Sequence, residues 1–294
     1  MTPIRRHVTT AAVALALAST SAFATDASPL TKIKMHAVTA SHTLITVSAA
    51  EPQKILSSVR LTGLAPDERI LGIDYRVARG MLDALGSRGR LFVIDTASGV
   101  LSPVGDDLFG IPLQGQQFGF DFNPAADRIR IVSDAAQNLR AHPDTGALVD
   151  FSPEETGLQA DGALAYVADD PNAGRAPRIV GAAYTYNTKD EKLTTNFAID
   201  IARGDLVRQG SVEGTLPVVS PNTGKLSTVG SLGVEGIIDA HFDISDVSNT
   251  ALAAFSTAGT PGYVLHQIDL SSGKARMIAP LGTGEAIVGI AIEP

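Results

Sequence analysis

The sequence predicts an all-β fold, and within that class a β-propeller of five four-stranded blades. Three observations carry the prediction. Short apolar runs alternate with clusters of Gly, Asp, Asn, Ser and Pro along most of the chain. One stretch, residues 70–105, reads ILGIDYRVARGMLDALGSRGRLFVIDTASGVLSPVG and holds four such runs, and its parts recur downstream in the same order. The last apolar run, IVGIAI at residues 287–292, resembles the opening of a blade, whereas the first blade lacks an opening strand.

In the reference stretch Leu71, Ile73 and Tyr75 alternate with Gly72, Asp74 and Arg76, the period-two signal of a strand. A turn at Ala78–Gly80 leads to a second strand, Met81–Leu85, and Gly86–Gly89 turns the chain into a third, Arg90–Ile94. In the turn Asp95-Thr96-Ala97-Ser98-Gly99, Asp and Ser side chains bond the backbone and Gly99 can take positive φ. Val100–Val104 is the fourth strand. A sheet this small cannot bury both faces alone, so it must stack on its own copies.

Upstream, Met35–Thr39, Thr43–Val47 and Ile55–Leu61 form a first blade one strand short. Downstream, Phe118–Asn123 repeats the pattern of Leu71–Tyr75, and Asp127–Ser133, Asn138–His142 and Ala147–Phe151 are expected to complete a third blade. In the fourth, Leu164–Val167 is expected first, then Ile179–Tyr186 and Asn196–Ile201. Two segments, Gly204–Gly210 and Gly224–Gly230, both match the last turn and strand, which leaves room for an extra hairpin or a sixth, degenerate blade. Ala240–Ile244, Ala251–Phe255, Tyr263–Asp269 and Ala275–Ala279 make the fifth. The C-terminal strand should fill the gap in the first blade and close the ring, protecting sheet edges. A sandwich or an open solenoid is the alternative arrangement.

Residues 1–24 read as an export signal, with Arg5 and Arg6, the apolar run Ala11–Ala18 and the small-x-small pattern Ala22-Phe23-Ala24. That run is too short to span a bilayer. Residues 25–34 are expected to be a disordered terminus and residues 35–294 a single domain, periplasmic or secreted, monomeric and without an integral membrane segment. Losing Arg5 and Arg6 takes the net charge from −8 to −10, which disfavours nucleic acid and anionic membranes and suits cations or basic ligands. With no cysteine, disulfides, thiolate metal sites and cysteine nucleophiles are excluded together.

Asp74, Asp121 and Asp243 occupy equivalent places on first strands, which line the channel of a propeller. They could converge and hold a hard cation such as calcium, or each could satisfy backbone donors that keep neighbouring blades in register. The third blade carries a dense polar set, Asn123, Arg128, Arg130, Asp134, Asn138 and Arg140, a candidate ligand site. Arg128 and Arg130 lie two apart on one strand face, able to clamp a carboxylate or phosphate, or to pair with Asp127 and Asp134. Asp169–Gly174 resembles half of a calcium loop but lacks the spaced acidic terminator. The six histidines show no zinc spacing, and no Gly-x-Ser-x-Gly elbow or phosphate-binding loop is present. Ser271 and Lys274 match Ser-x-x-Lys only on a tight hairpin turn, and the chain has no Trp for sugar stacking.

Taken together, Gly72–Arg76, Gly119–Pro124 with Asp127–Arg130, Asn138–Arg140, Asp161–Tyr166, Asn172–Gly174 and Val180–Tyr184 resemble an uncharacterised bacterial family, domain of unknown function 4394. The resemblance spans nearly all of residues 35–294. It implies an exported, propeller-like protein and transfers no catalytic residue. Asp83 departs from its pattern, at a position where a bulkier residue is expected. The leading expectation is an exported propeller that binds a small ligand or protein partner without catalysis. A calcium-dependent hydrolase or lactonase using Asp74, Asp121 and Asp243, or a structural cell-surface module, are the alternatives.

Overall fold

The computed structural model describes residues 30–294 and shows a five-bladed β-propeller. The export signal lies outside the described residues. From the channel outward, blade 1 consists of β20 (Ile287–Ile292), β1 (Lys34–Thr39), β2 (Thr43–Ser48) and β3 (Glu51–Arg60). Blade 2 is β4 (Ile70–Arg76), β5 (Met81–Gly86), β6 (Arg90–Ile94) and β7 (Leu101–Val104). Blade 3 has β8 (Phe118–Asn123), β9 (Arg128–Ser133) and β10 (Asn138–Ala141). Blade 4 runs β12 (Ile179–Tyr184), β13 (Asn196–Asp200), β14 (Asp205–Gln209), β15 (Lys225–Ser231) and, outermost, β11 (Ala165–Tyr166). Blade 5 is β16 (Ile237–Ile244), β17 (Ala251–Thr257), β18 (Thr260–Ile268) and β19 (Ala275–Pro280).

Ring closure follows the expectation. The C-terminal strand β20 pairs antiparallel with β1, setting Met35 opposite Ile292 and Ala37 opposite Ile290. The apolar core is correspondingly split into layers, one between each pair of neighbouring blades. Each blade thus buries both faces, which is why β12 is buried at every position and reads as a continuous apolar run. Residues 30–34, grouped in the sequence with a disordered terminus, hold a 3₁₀ turn at Leu30–Lys32, and Leu30 is buried against blades 1 and 5.

Two expectations fail. Ala147–Phe151 does not add a fourth strand to blade 3; it contributes only an isolated bridge between Ala141 and Leu148. The segment touches the end of β10, the Val149 amide donating to the Arg140 carbonyl and the His142 amide to the Ala147 carbonyl, and then turns away, the Phe151 amide donating to the Gln159 carbonyl. In blade 4, Leu164–Val167 is not the channel strand. Its core, β11, pairs in parallel with β15 at the outer edge. Leu164 and Tyr166 are buried, so the alternation is genuine, but Ala165 is exposed, and an innermost strand needs both faces covered. Ile179–Tyr184 meets that demand. Both candidate final segments enter blade 4, as β14 and β15, and no sixth blade forms.

The ring is tight at its centre. A Cβ on Gly119 would lie 2.6 Å from the Ala182 amide nitrogen, and one on Gly72 would lie 2.7 Å from the Phe120 Cβ. Gly181 and Gly289 occupy the matching places in blades 4 and 1, so four inner strands approach their neighbours where no side chain would fit. Blade 5 carries His241 there, and its Nε2–H donates to the Ile287 carbonyl at 2.9 Å. The cavity left along the axis is about 10 Å³, room for roughly one water. Ligand chemistry is therefore confined to the two mouths.

Candidate functional site at the acidic mouth

Asp74, Asp121 and Asp243 sit near the C-terminal ends of inner strands β4, β8 and β16. Each reaches to the next blade in the ring. Asp74 Oδ2 accepts from the Phe122 amide at 2.7 Å, Asp121 Oδ1 from the Tyr184 amide at 2.8 Å, and Asp243 Oδ2 from the Ile292 amide at 2.5 Å. The matching residues of blades 4 and 1 are Ala183 and Ala291. These latches leave the three carboxylates converging, with one oxygen of each within 4.8 Å of the others, and all three residues are buried.

Burial, and then mutual repulsion, sets their protonation. Burial drives Asp74 and Asp121 well above the usual carboxylate range, reinforced for Asp74 by Asp243 and Asp246 and for Asp121 by Asp74 and Asp243. Burial also raises Asp243 to about 6. Asp246, three residues beyond, is raised to about 7 by burial and by Asp243. Their lowest-energy states share protons or accept a cation. At this mouth lies a concavity of about 670 Å³, bordered by Asn123, Tyr186, Glu191, Lys192 and Asp246, with Arg76 and Phe122, which closely follow Asp74 and Asp121 in their strands, also in its wall. Of these, Arg76 is already engaged. Arg76 grips both oxygens of Asp127 and also binds Asp144 at 2.5 Å, bracing blade 2 against blade 3.

Of the polar set singled out in the third blade, only Asn123 borders this concavity. Arg128 donates to the carbonyls of Ala126 and Asp127. Arg130 is buried, donating to Asp161 at 2.6 Å, Asn138 at 2.7 Å, Asn222 at 2.6 Å and the Tyr184 hydroxyl at 3.2 Å. Arg140 forms a two-pronged pair with the same Asp161. Arg130, Asn138 and Arg140 therefore rivet blade 3 to blade 4, where the apolar layer is smallest. Asp134 lies at the other end of β9, capping the amides of Gln116 and Gln117. Of the two arginines expected to pair with Asp127 and Asp134, Arg130 pairs with Asp161 instead, and Asp127 is held by Arg76, pairings invisible at those sequence separations. In the loop Asp169–Gly174, Asp170 accepts from the Thr228 amide and hydroxyl, and Asn172 donates to Asp205, pinning the loop to blade 4.

Sequence reasoning missed Asp246 and Asp83. Asp246 follows the channel motif of blade 5 by three residues, the one signal it offered. Asp83 faces Asp74 across β4 and β5, is buried, and neither of its oxygens finds a hydrogen-bond partner. Burial raises it to about 7 against the pull of Arg76.

The family model described as Domain of unknown function (DUF4394) matches residues 43–291. The chain belongs to this family. No curated protein matches it. Among solved structures, a chain of the nidogen/laminin complex is similar at 10% identity with a TM-score of 0.45, over 89% of this chain and 98% of that one. TolB from Acinetobacter baumannii is similar at 10% identity and TM-score 0.45, over 90% of this chain and 67% of its own. A structural genomics protein of unknown function from Bacteroides thetaiotaomicron is similar at 12% identity and TM-score 0.42, over 81% of this chain and 55% of its own.

Proposed function

We propose that this protein is an exported, non-catalytic propeller that binds a small cationic ligand in the concavity at the acidic mouth. The observation that carries the reading is a concavity at the mouth where Asp74, Asp121 and Asp243 converge, with Asp246 in its wall. An ammonium group docking there would supply the positive charge whose absence, together with burial, keeps these carboxyls from ionising. Tyr186 borders the same space and offers an aromatic face of the kind that attracts ammonium groups. Export rests on the leader read in residues 1–24.

Calorimetry with spermidine as probe tests the reading. Binding is expected to weaken at least tenfold in Asp246→Asn and to be stronger at pH 8 than at pH 5. Absence of heat from spermidine, or binding indifferent to Asp246→Asn, overturns it.

A second reading rests on the convergence itself. Three carboxylate oxygens within 4.8 Å supply half of the six to eight oxygens that calcium takes, leaving the rest to water or substrate from the concavity. In that case the site is a calcium-dependent hydrolase or lactonase. Calcium titration with Asp121→Ala as control decides it: heat from calcium that the variant abolishes favours this reading, and no heat up to millimolar calcium removes it.

A further inference from the structure

The opposite mouth, at the N-terminal ends of the inner strands, differs in charge and in how its charges are used. Two arginines and a histidine from separate segments approach one another there. His42 sits in the turn between β1 and β2, Arg60 ends β3, and Arg69 precedes β4. Arg60 and Arg69 are exposed and form no ion pair among the described residues. The charges acting on the His42 ring are those of Arg60 and Arg69, and no carboxylate offsets them. His42 is also held in the left-handed backbone region, at φ 60°, with its amide donating to Thr39 and its carbonyl accepting from Leu61. A residue so constrained has its backbone, and with it the direction of its Cα–Cβ bond, set by the fold.

Two concavities meet at His42 and Arg69. One, of about 170 Å³, lies over the channel and is bordered by Gln117, Asp239 and His241. The other, of about 560 Å³, runs outward along the loop from Leu61 to Arg69. Asp239, the carboxylate over the channel, cannot serve as the missing counter-ion. Its Oδ1 accepts from the Gln117 side chain at 2.6 Å and from the Ala240 amide, and its Oδ2 from the Tyr263 hydroxyl at 2.5 Å. His241 lies 3.5 Å from the same Oδ2. Asp67 borders the outer concavity, and Glu68 is consumed by Arg90. In a chain of net charge −8, the Arg69 guanidinium borders both hollows without an ion-pair partner among the described residues, and Arg60, at the end of β3, adds a second positive charge beside His42.

From this we infer that the mouth formed by His42, Arg60 and Arg69 is an oxyanion-binding site, taking the carboxylate or phosphate group of a small molecule whose remainder occupies the adjoining hollow. Guanidinium groups suit such anions because their paired N–H donors match two oxygens at once. The site is independent of the acidic mouth, since the closed channel separates them.

Inorganic phosphate and succinate, titrated separately, serve as probes, and the His42 ring resonances report occupancy. Either ion is expected to shift the His42 ring signals and to bind at least tenfold more weakly to Arg69→Ala, with a smaller loss in Arg60→Ala. Asp121→Asn, at the far mouth, should leave this binding unchanged, so failure here is distinct from failure of the cation site. Arg69 makes no side-chain hydrogen bond among the described residues, so Arg69→Ala is expected to fold normally. The inference falls if neither ion moves the His42 signals, or if binding survives Arg69→Ala at full strength.

Discussion

The two mouths of this propeller handle buried charge in opposite ways. At one, Asp74, Asp121 and Asp243 are brought together by backbone latches without a cation beside them, and burial pushes their carboxyls upward. At the other, Asp239 is also largely buried, and burial alone would raise it too. Contacts from His241, Tyr263 and Gln117 prevail and hold it at about 2. Asp239 is partly exposed and carries three side-chain contacts, whereas the three channel aspartates are fully enclosed with only backbone amides to offset burial, and the two kinds of site fall on opposite sides of the ordinary carboxylate value. A group that stays charged at rest serves structure, and a group that is kept from charging is poised to accept a partner.

The largest expected effect is on stability against pH, and it carries opposite signs at the two mouths. An unfolded Asp ionises near pH 3.9. Asp243 ionises in the fold at about 6, and Asp246 and Asp83 at about 7, so between pH 4 and 7 the folded state binds more protons and stability falls as pH rises. For Asp83 alone the penalty approaches about 4 kcal/mol above pH 7. Asp239 does the reverse. Its contribution is complete above pH 4 and is lost as pH falls towards 2. Urea unfolding should show a lower midpoint at pH 8 than at pH 5, and Asp83→Asn should recover much of the difference. A midpoint that stays level from pH 5 to pH 8 would break the comparison.

A smaller effect separates latch from charge at the acidic mouth. Asp121→Ala orphans the Tyr184 amide, which should cost about 1–3 kcal/mol at pH 5. At pH 8 the same variant also removes a carboxyl whose ionisation burial and the neighbouring aspartates oppose, so the cost should be smaller than at pH 5. Asp121→Asn keeps the acceptor and should be at least as stable as wild type at pH 8. Equal costs for Asp121→Ala at the two pH values would mean that the carboxyl does not carry the repulsion assigned to it.

Much of the ring was legible because its signals are local. The alternation of Leu71, Ile73 and Tyr75, the turn glycines, and the likeness of IVGIAI to ILGIDY each depend on a few adjacent residues, and each led to the right strand. The shared position of Asp74, Asp121 and Asp243 was legible for the same reason, since a repeated motif places repeated residues at one depth in the ring. What failed was non-local. Leu164–Val167 alternates as an inner strand does, but whether a strand lies inside or outside depends on what covers Ala165, which the segment itself does not encode. Arg130 drew attention as a ligand clamp, and its partner Asp161 lies 31 residues away, in a loop whose path no local pattern fixes. The cationic mouth was missed altogether, because His42, Arg60 and Arg69 come from a turn, a strand end and a connecting loop.

The smallest expected effect on stability falls at that cationic mouth, and it is the sharpest discriminator between the two ends. Arg69 is exposed and its guanidinium holds no partner among the described residues, so Arg69→Ala should change unfolding free energy by no more than about 0.5 kcal/mol. Removing a positive charge beside His42 should also ease protonation of the imidazole, which burial and the two arginines now hold below its ordinary value. Titration of the His42 ring by NMR should therefore show an upward shift in Arg69→Ala with the urea midpoint unchanged. A residue that tunes its neighbour's charge while contributing nothing measurable to folding is one whose position the fold leaves free for a ligand. If Arg69→Ala instead unfolds more readily and leaves His42 unmoved, the guanidinium is a structural brace, and the two mouths differ only in sign.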